Sequence, residues 1–130
     1  MAERIVLEVP ATLDALSTVR MILGGLSAHL DFSLEALDEL QLASDSLFEA
    51  ALNDEELKSF SVEMLLEDGD LSVAAGSFHS PGLRARVGAT PGGCIDLCVL
   101  LRRLLDDVYL EERDREFRVV MVKRGHGSAP

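Results

Sequence analysis

The spacing of apolar residues changes along this chain, most plainly after residue 52, and that change limits the folds open to it. Residues 12–30 and 33–52 form two blocks in which apolar side chains recur every three to four positions. Leu13, Leu16, Val19, Ile22, Leu23 and Leu26 make the first set, and Leu34, Leu37, Leu40, Leu47, Phe48 and Ala51 the second. Each set marks one face of an amphipathic helix, with Thr12 and Ser33 placed to cap them. From Phe60 the period is two: Phe60, Val62 and Met64 alternate with Ser61, Glu63 and Leu65, a turn follows at Asp68-Gly69, and residues 71–74 run back. Asp-Gly between two such runs predicts a β-hairpin. A chain that switches period in this way has to pack helices on a sheet.

The remaining segments fill in the order. Ile5, Leu7 and Val9 alternate with Val6, Glu8 and Pro10, predicting a short first strand ended by the proline. Gly24-Gly25 in the first helix would each cost about 1 kcal/mol relative to Ala in isolation and read as close packing against a neighbour. Residues 76–93 read as a loop rich in Gly, Ser and Pro, and its centre, Leu83-Arg84-Ala85-Arg86-Val87, is the only locally basic patch. A third helix is expected from about residue 94 to 107, apolar on most sides and so the most buried. Residues 108–110 and 117–122 are expected as closing strands across a charged turn, 111–116, before a disordered tail at 125–130. The fold class that follows is α+β: one domain over residues 1–124, an α/β sandwich with three helices on one face of a mixed, mainly antiparallel sheet.

Composition narrows the partners. At 130 residues the chain suits one domain with a real core. Twenty-three acidic against twelve basic residues give a formal charge of −11, which opposes nucleic acid and anionic membrane and favours a basic protein surface or a divalent cation. No apolar run approaches the roughly 18 residues that span a bilayer, and Met-Ala-Glu-Arg begins no signal segment, so a soluble cytoplasmic protein is expected. Cys94 and Cys98, four apart in an apolar segment, read as buried thiols, since one helix face does not suit a disulfide and two ligands are too few for a metal. His29, His79 and His126 are scattered, and neither a nucleophile elbow nor a P-loop is present.

One motif goes further. Val9-Pro10-Ala11 leads into the first helix, and the second carries Ser44-Asp45-Ser46-Leu47-Phe48-Glu49-Ala50-Ala51. This resembles the anti-sigma-factor serine kinases of the GHKL ATPase type, whose second helix reads S-E-x-x-x-N-A. The resemblance runs from Leu7 to Lys123 and implies the Bergerat nucleotide-binding fold. In that family the Glu is the catalytic base and the Asn a magnesium ligand. Those places here hold Asp45 and Glu49. Asp45 has one methylene less, withdrawing its oxygen by about 1.5 Å, a large error for a base that needs direct hydrogen-bond reach. Glu49 has oxygen for Mg²⁺ but adds negative charge beside a triphosphate. Both also fit a solvated acidic helix face.

The other motifs are eroded as well. The family's adenine motif, D-x-G-x-G, corresponds to residues 73–79, where Gly76 and Ser77 remain without the Asp. The phosphate motif G-x-G-L corresponds to Gly92-Gly93 followed by Cys94-Ile95-Asp96-Leu97, with no lysine or arginine adjacent. Arg20 falls where the family commonly places a partner-facing arginine; an ordinary solvent arginine fits equally.

The resemblance therefore implies an anti-sigma-factor-like regulator that binds a sigma factor or its antagonist by protein contact, with ATP binding lost and no cofactor or metal expected. Two alternatives stand beside it. One is a divergent ATP- and Mg²⁺-dependent serine kinase with Asp45 as base and Glu49 at the metal. The other is an inactive partner that dimerises with an active paralogue, family members dimerising near the first strand and first helix.

Overall fold

A computed structural model of the protein describes residues 2–88 and 97–125. The first strand, β1 (Glu3–Pro10), leads into α1 (Leu13–His29) and α2 (Leu34–Ala51). Both caps are made as expected: Thr12 Oγ1 accepts from the Ala15 N–H at 3.2 Å and Ser33 Oγ from the Ala36 N–H at 3.0 Å. The hairpin follows as β2 (Ser59–Glu67) and β3 (Asp70–Phe78), closed by a two-residue turn in which Asp68 and Gly69 both take positive φ, 54° and 83°. Two positive φ values in a two-residue loop are the geometry that matches strand twist, and Asp-Gly tolerates it. Next come α3 (Pro81–Gly88), α4 (Leu97–Leu104), β4 (Asp107–Arg113) and β5 (Glu116–Arg124).

The five strands form one sheet in the order β1-β2-β3-β5-β4, antiparallel at every pairing. Alternation along each strand sorts the sheet into two faces. Val9, Phe60, Val62, Met64, Val73, Val119 and Met121 point to the helices and are at most 3 % exposed. Leu23, Leu40, Leu47, Phe48, Leu83, Val87 and Leu101 from the four helices complete that core. A row of aromatic rings crosses it: Phe48 of α2, then Phe60, Phe78 and Phe117 on three adjacent strands, with centroids 5.5, 5.5 and 5.8 Å apart. The opposite face carries side chains such as Arg4, Glu63 and Arg118. There Arg4 Nε donates to Glu63 Oε2 at 2.7 Å, and Arg118 Nη1 lies 3.6 Å from the other oxygen of Glu63.

The α+β sandwich with its helices on one face is thus the architecture, and several details differ from expectation. The sheet is antiparallel throughout rather than mixed. Four helices cover it instead of three, because the segment read as a loop contains the end of β3 and all of α3. Ser80 caps α3, its Oγ accepting from the Leu83 N–H at 3.2 Å, and Leu83 and Val87 anchor one face in the core. The described part of the last helix ends at Leu104, and residues 94–96 lie outside the described residues. In its described part Leu97, Cys98 and Leu101 are buried while Arg102 and Arg103 face solvent, so it is amphipathic there rather than apolar on most sides. The closing strands run through Arg113 and Glu116, leaving a turn of Asp114 and Arg115 alone. The close packing expected at Gly24-Gly25 is absent: a β-carbon on Gly24 would sit 3.6 Å from Gln41 Nε2, an ordinary contact, and one on Gly25 would meet nothing within 4 Å. Of the expected tail, Gly125 is held, its N–H donating to Asp70 Oδ1 at 3.2 Å, and residues 126–130 lie outside the described residues.

Candidate functional site on the first two helices

The two long helices pack antiparallel, and their seam brings together three residues singled out in the sequence. Arg20 of α1 and Asp45 of α2 form an ion pair across it, Nη1 to Oδ2. Gln41 fixes the register one turn away, its Nε2 donating to the Arg20 carbonyl at 2.9 Å. Ser27, Gln41 and Ser44 are buried. Glu49, one turn beyond Asp45, is exposed. Arg20, Asp45 and Glu49, with Leu13, Leu16 and Ser17, line a shallow hollow of about 210 Å³. The Asp45 carboxylate is therefore already engaged by a guanidinium.

Gly76 and Ser77 lie elsewhere. Gly76 pairs with Ser61 of β2, on the face of the sheet away from the helices. A β-carbon at Gly76 would come within 2.6 Å of Arg118 Cβ and 2.9 Å of its Cα, at the point where the β3–β5 register shifts. Glycine is required there by the close approach of a neighbouring strand, independently of any ligand. Ser77 Oγ donates to Glu116 Oε2 at 2.9 Å. The two residues share a hollow of about 620 Å³ with Glu111, Glu112 and Arg118 rather than with Asp45. Gly92 and Gly93 lie outside the described residues.

A further cleft opens along the C-terminal half of α2. Ser46, Glu49, Ala50, Asn53, Arg86, Leu97 and Leu100 line a hollow of about 460 Å³. Ala50, Asn53 and Arg86 also belong to a neighbouring hollow of about 610 Å³ bounded by His79, Ser80 and the first turn of α3. Arg86 was visible in the sequence only as part of a basic loop patch. Its place in the cleft follows from α3 being a helix, since Leu83 and Val87 turn inward and carry Arg86 to the α2 side. A cation thus shares a hollow with Glu49, although none lies beside Gly92-Gly93 in sequence. Arg84, on the same helix, forms an ion pair with Glu112 of β4. That hydrogen bond raises the arginine's pKa and holds the Glu112 carboxyl below the usual carboxylate range, slight burial opposing and charge attraction assisting the latter. Among the described residues no group of three or more His, Cys, Asp or Glu could hold a metal ion, and no helix is long and apolar enough to cross a membrane.

No protein-family model and no curated protein matches the sequence. Among solved structures, the chain is similar to the one of the RsbU and RsbW domains of Rv1364c from Mycobacterium tuberculosis, with a TM-score of 0.68 at 14 % identity. The match covers 94 % of this chain and 32 % of that one, so the chain spans about a third of the solved chain's length. At that identity the likeness concerns the fold. The protein has an α+β fold, a five-stranded antiparallel sheet with helices on one face, similar to that found in the solved structure.

Proposed function

We propose that this protein is an anti-sigma-factor-like regulator that sequesters a sigma factor or its antagonist by protein contact, with nucleotide chemistry lost. The observation that carries this reading is the Arg20–Asp45 pair. A general base has to offer its oxygen to the substrate hydroxyl within hydrogen-bond reach, and phosphoryl transfer depends chiefly on such positioning. An oxygen held by Arg20, on a side chain already one methylene short, is badly placed for that task. Glu49 adds a second carboxylate where a triphosphate would bring its own negative charge. The fold adds support, being shared with a structure that contains an RsbW domain, and RsbW is an anti-sigma-factor serine kinase.

The competing reading, a divergent ATP-dependent serine kinase, draws on Arg86, which shares a cleft with Glu49 and Asn53 and could meet a phosphate. Titration calorimetry with ATP and ADP, each with and without Mg²⁺, separates the two. No heat at millimolar nucleotide is expected. Binding tighter than about 100 μM, or roughly −5.5 kcal/mol, would establish the kinase reading instead. Sequestration itself is tested by size-exclusion chromatography with each purified sigma factor of the same genome. The same test is run with each anti-anti-sigma protein of that genome; co-elution with one sigma factor or one antagonist in the absence of nucleotide is expected, and co-elution with none of either sinks the proposal.

A further inference from the structure

The solvent side of the α1–α2 pair carries a pattern that the core does not use. Four of the large apolar side chains most exposed among the described residues lie on it: Leu13, Met21, Leu34 and Leu42, at 70, 77, 74 and 49 %. Single exposed apolar residues are ordinary, but a set along one face marks a contact surface. On α2, Leu34, Asp38, Leu42 and Glu49 recur at helical spacing on the exposed stripe. The helix carries five carboxylates and no lysine or arginine. Glu39 is used by Lys123 and Asp45 by Arg20, whereas Glu35, Asp38 and Glu49 face solvent and make no ion pair among the described residues. On α1, Leu13, Ser17, Met21 and Gly25 form the matching ridge, and the open space over Gly25 lets another backbone approach. The register set by Arg20–Asp45 and Gln41 puts Met21 and Leu42 on opposite sides of the crease between the helices.

We propose that this face receives one basic amphipathic helix from a protein partner, laid along the α1–α2 crease. Its apolar side covers Met21 and Leu42, and its lysines or arginines stand over Glu35, Asp38 and Glu49. This rests on the sequestration reading and adds the surface and the chemistry of what is captured. Charge selects the occupant: an acidic helix would meet three uncompensated carboxylates on a chain of net charge −11. A second copy is disfavoured on the same ground, because a two-fold contact sets the acidic ridge against itself. The apolar pair then gives the helix its position, as in other helix-in-groove contacts.

The test uses fluorescence anisotropy with a labelled Leu/Lys peptide of about 18 residues, apolar on one helical face. A scrambled isomer of equal charge and a Leu/Glu counterpart serve as controls. The Leu/Lys helix is expected to bind, at least about tenfold more tightly than its scrambled isomer, and the Leu/Glu helix not to bind. Met21→Ser/Leu42→Ser and, separately, Asp38→Lys/Glu49→Lys are each expected to weaken it about tenfold or more. All four positions are solvent-facing, and circular dichroism checks that each variant is folded. Equal affinity for the scrambled isomer, or undiminished binding to Met21→Ser/Leu42→Ser, overturns the surface. So does a wild-type dimer that this variant converts to monomer. A sigma factor that co-elutes equally with wild type and Met21→Ser/Leu42→Ser overturns the surface while leaving sequestration standing. Specific peptide binding with no sigma factor captured does the reverse.

Discussion

Two glycines show how differently the same residue acts at two places. At Gly76 an added methyl group would strike the Cβ and Cα of Arg118, backbone that cannot swing aside. Gly76→Ala is expected to cost about 1–3 kcal/mol, seen as a lower urea midpoint at unchanged slope. At Gly25, inside α1 with open space around it, Gly→Ala is expected to stabilise by about 1 kcal/mol in the same measurement. Sequence alone marks both positions as glycine and cannot separate them, since the difference lies in a strand more than forty positions away from Gly76. The Arg84–Glu112 tie has a pH signature of its own. The folded Glu112 has a lowered pKa, so the tie is present above the ordinary carboxylate pKa and is lost as pH falls through the lowered one. Carbon-detected NMR titration is expected to give Glu112 a midpoint below a normal glutamate, restored by Arg84→Gln; an ordinary midpoint in wild type would refute this. Asp45, Glu49 and Arg20 were singled out by the family resemblance, and the helix period showed only that each lies off the apolar stripe. That the first and last form one ion pair was not legible, because it depends on how two helices pack.

Among the elements, Lys123 joins three at once. It is 8 % exposed on the inner face of β5, and its Nζ reaches Glu39 Oε1 of α2 at 2.9 Å and the Leu104 carbonyl at the end of α4 at 2.7 Å. A cation there also suits the negative end of the α4 dipole. Lys123→Met keeps the stem but leaves a carbonyl and a half-buried carboxylate without their donor. It is expected to destabilise by about 1–3 kcal/mol in chemical denaturation, and Glu39→Gln by less, since Gln still accepts a hydrogen bond. The elements with long apolar periods, α1, α2 and the β2–β3 hairpin, were readable in advance. Those that were missed share a cause. Helix α3 has only Leu83 and Val87 as anchors in eight residues, too few for a periodic signal, although Ser80-Pro81 is a recognisable helix start. The end of β3, Ala-Ala-Gly-Ser, has little strand propensity and is held by β2 and β5 on either side. Charged β4 runs beyond its apolar residues because an edge strand can expose them, and Glu111 pairs across it with Arg118.

For the whole molecule, electrostatics sets the condition dependence. A net charge of −11 on one small domain repels itself in the compact state, whereas the exposed ion pairs such as Arg4–Glu63 contribute little each. Salt screens both, and the excess charge outweighs the pairs. Raising NaCl from about 0.05 to about 0.5 M is therefore expected to raise Tm by a few degrees; a fall would mean that the ion pairs dominate. The sequence by itself determined the order of the strands and of every helix but α3, the two caps, the Asp68-Gly69 turn, the acidic balance and the inward faces, because each is a matter of local spacing and residue type. Only the tertiary structure decided the order β1-β2-β3-β5-β4, the separation of Gly76 and Ser77 from Asp45, the arrival of Arg86 in one hollow with Glu49 and the capture of Asp45 by Arg20. Those depend on which faces meet once the core closes, and residues far apart in the chain choose their partners only then.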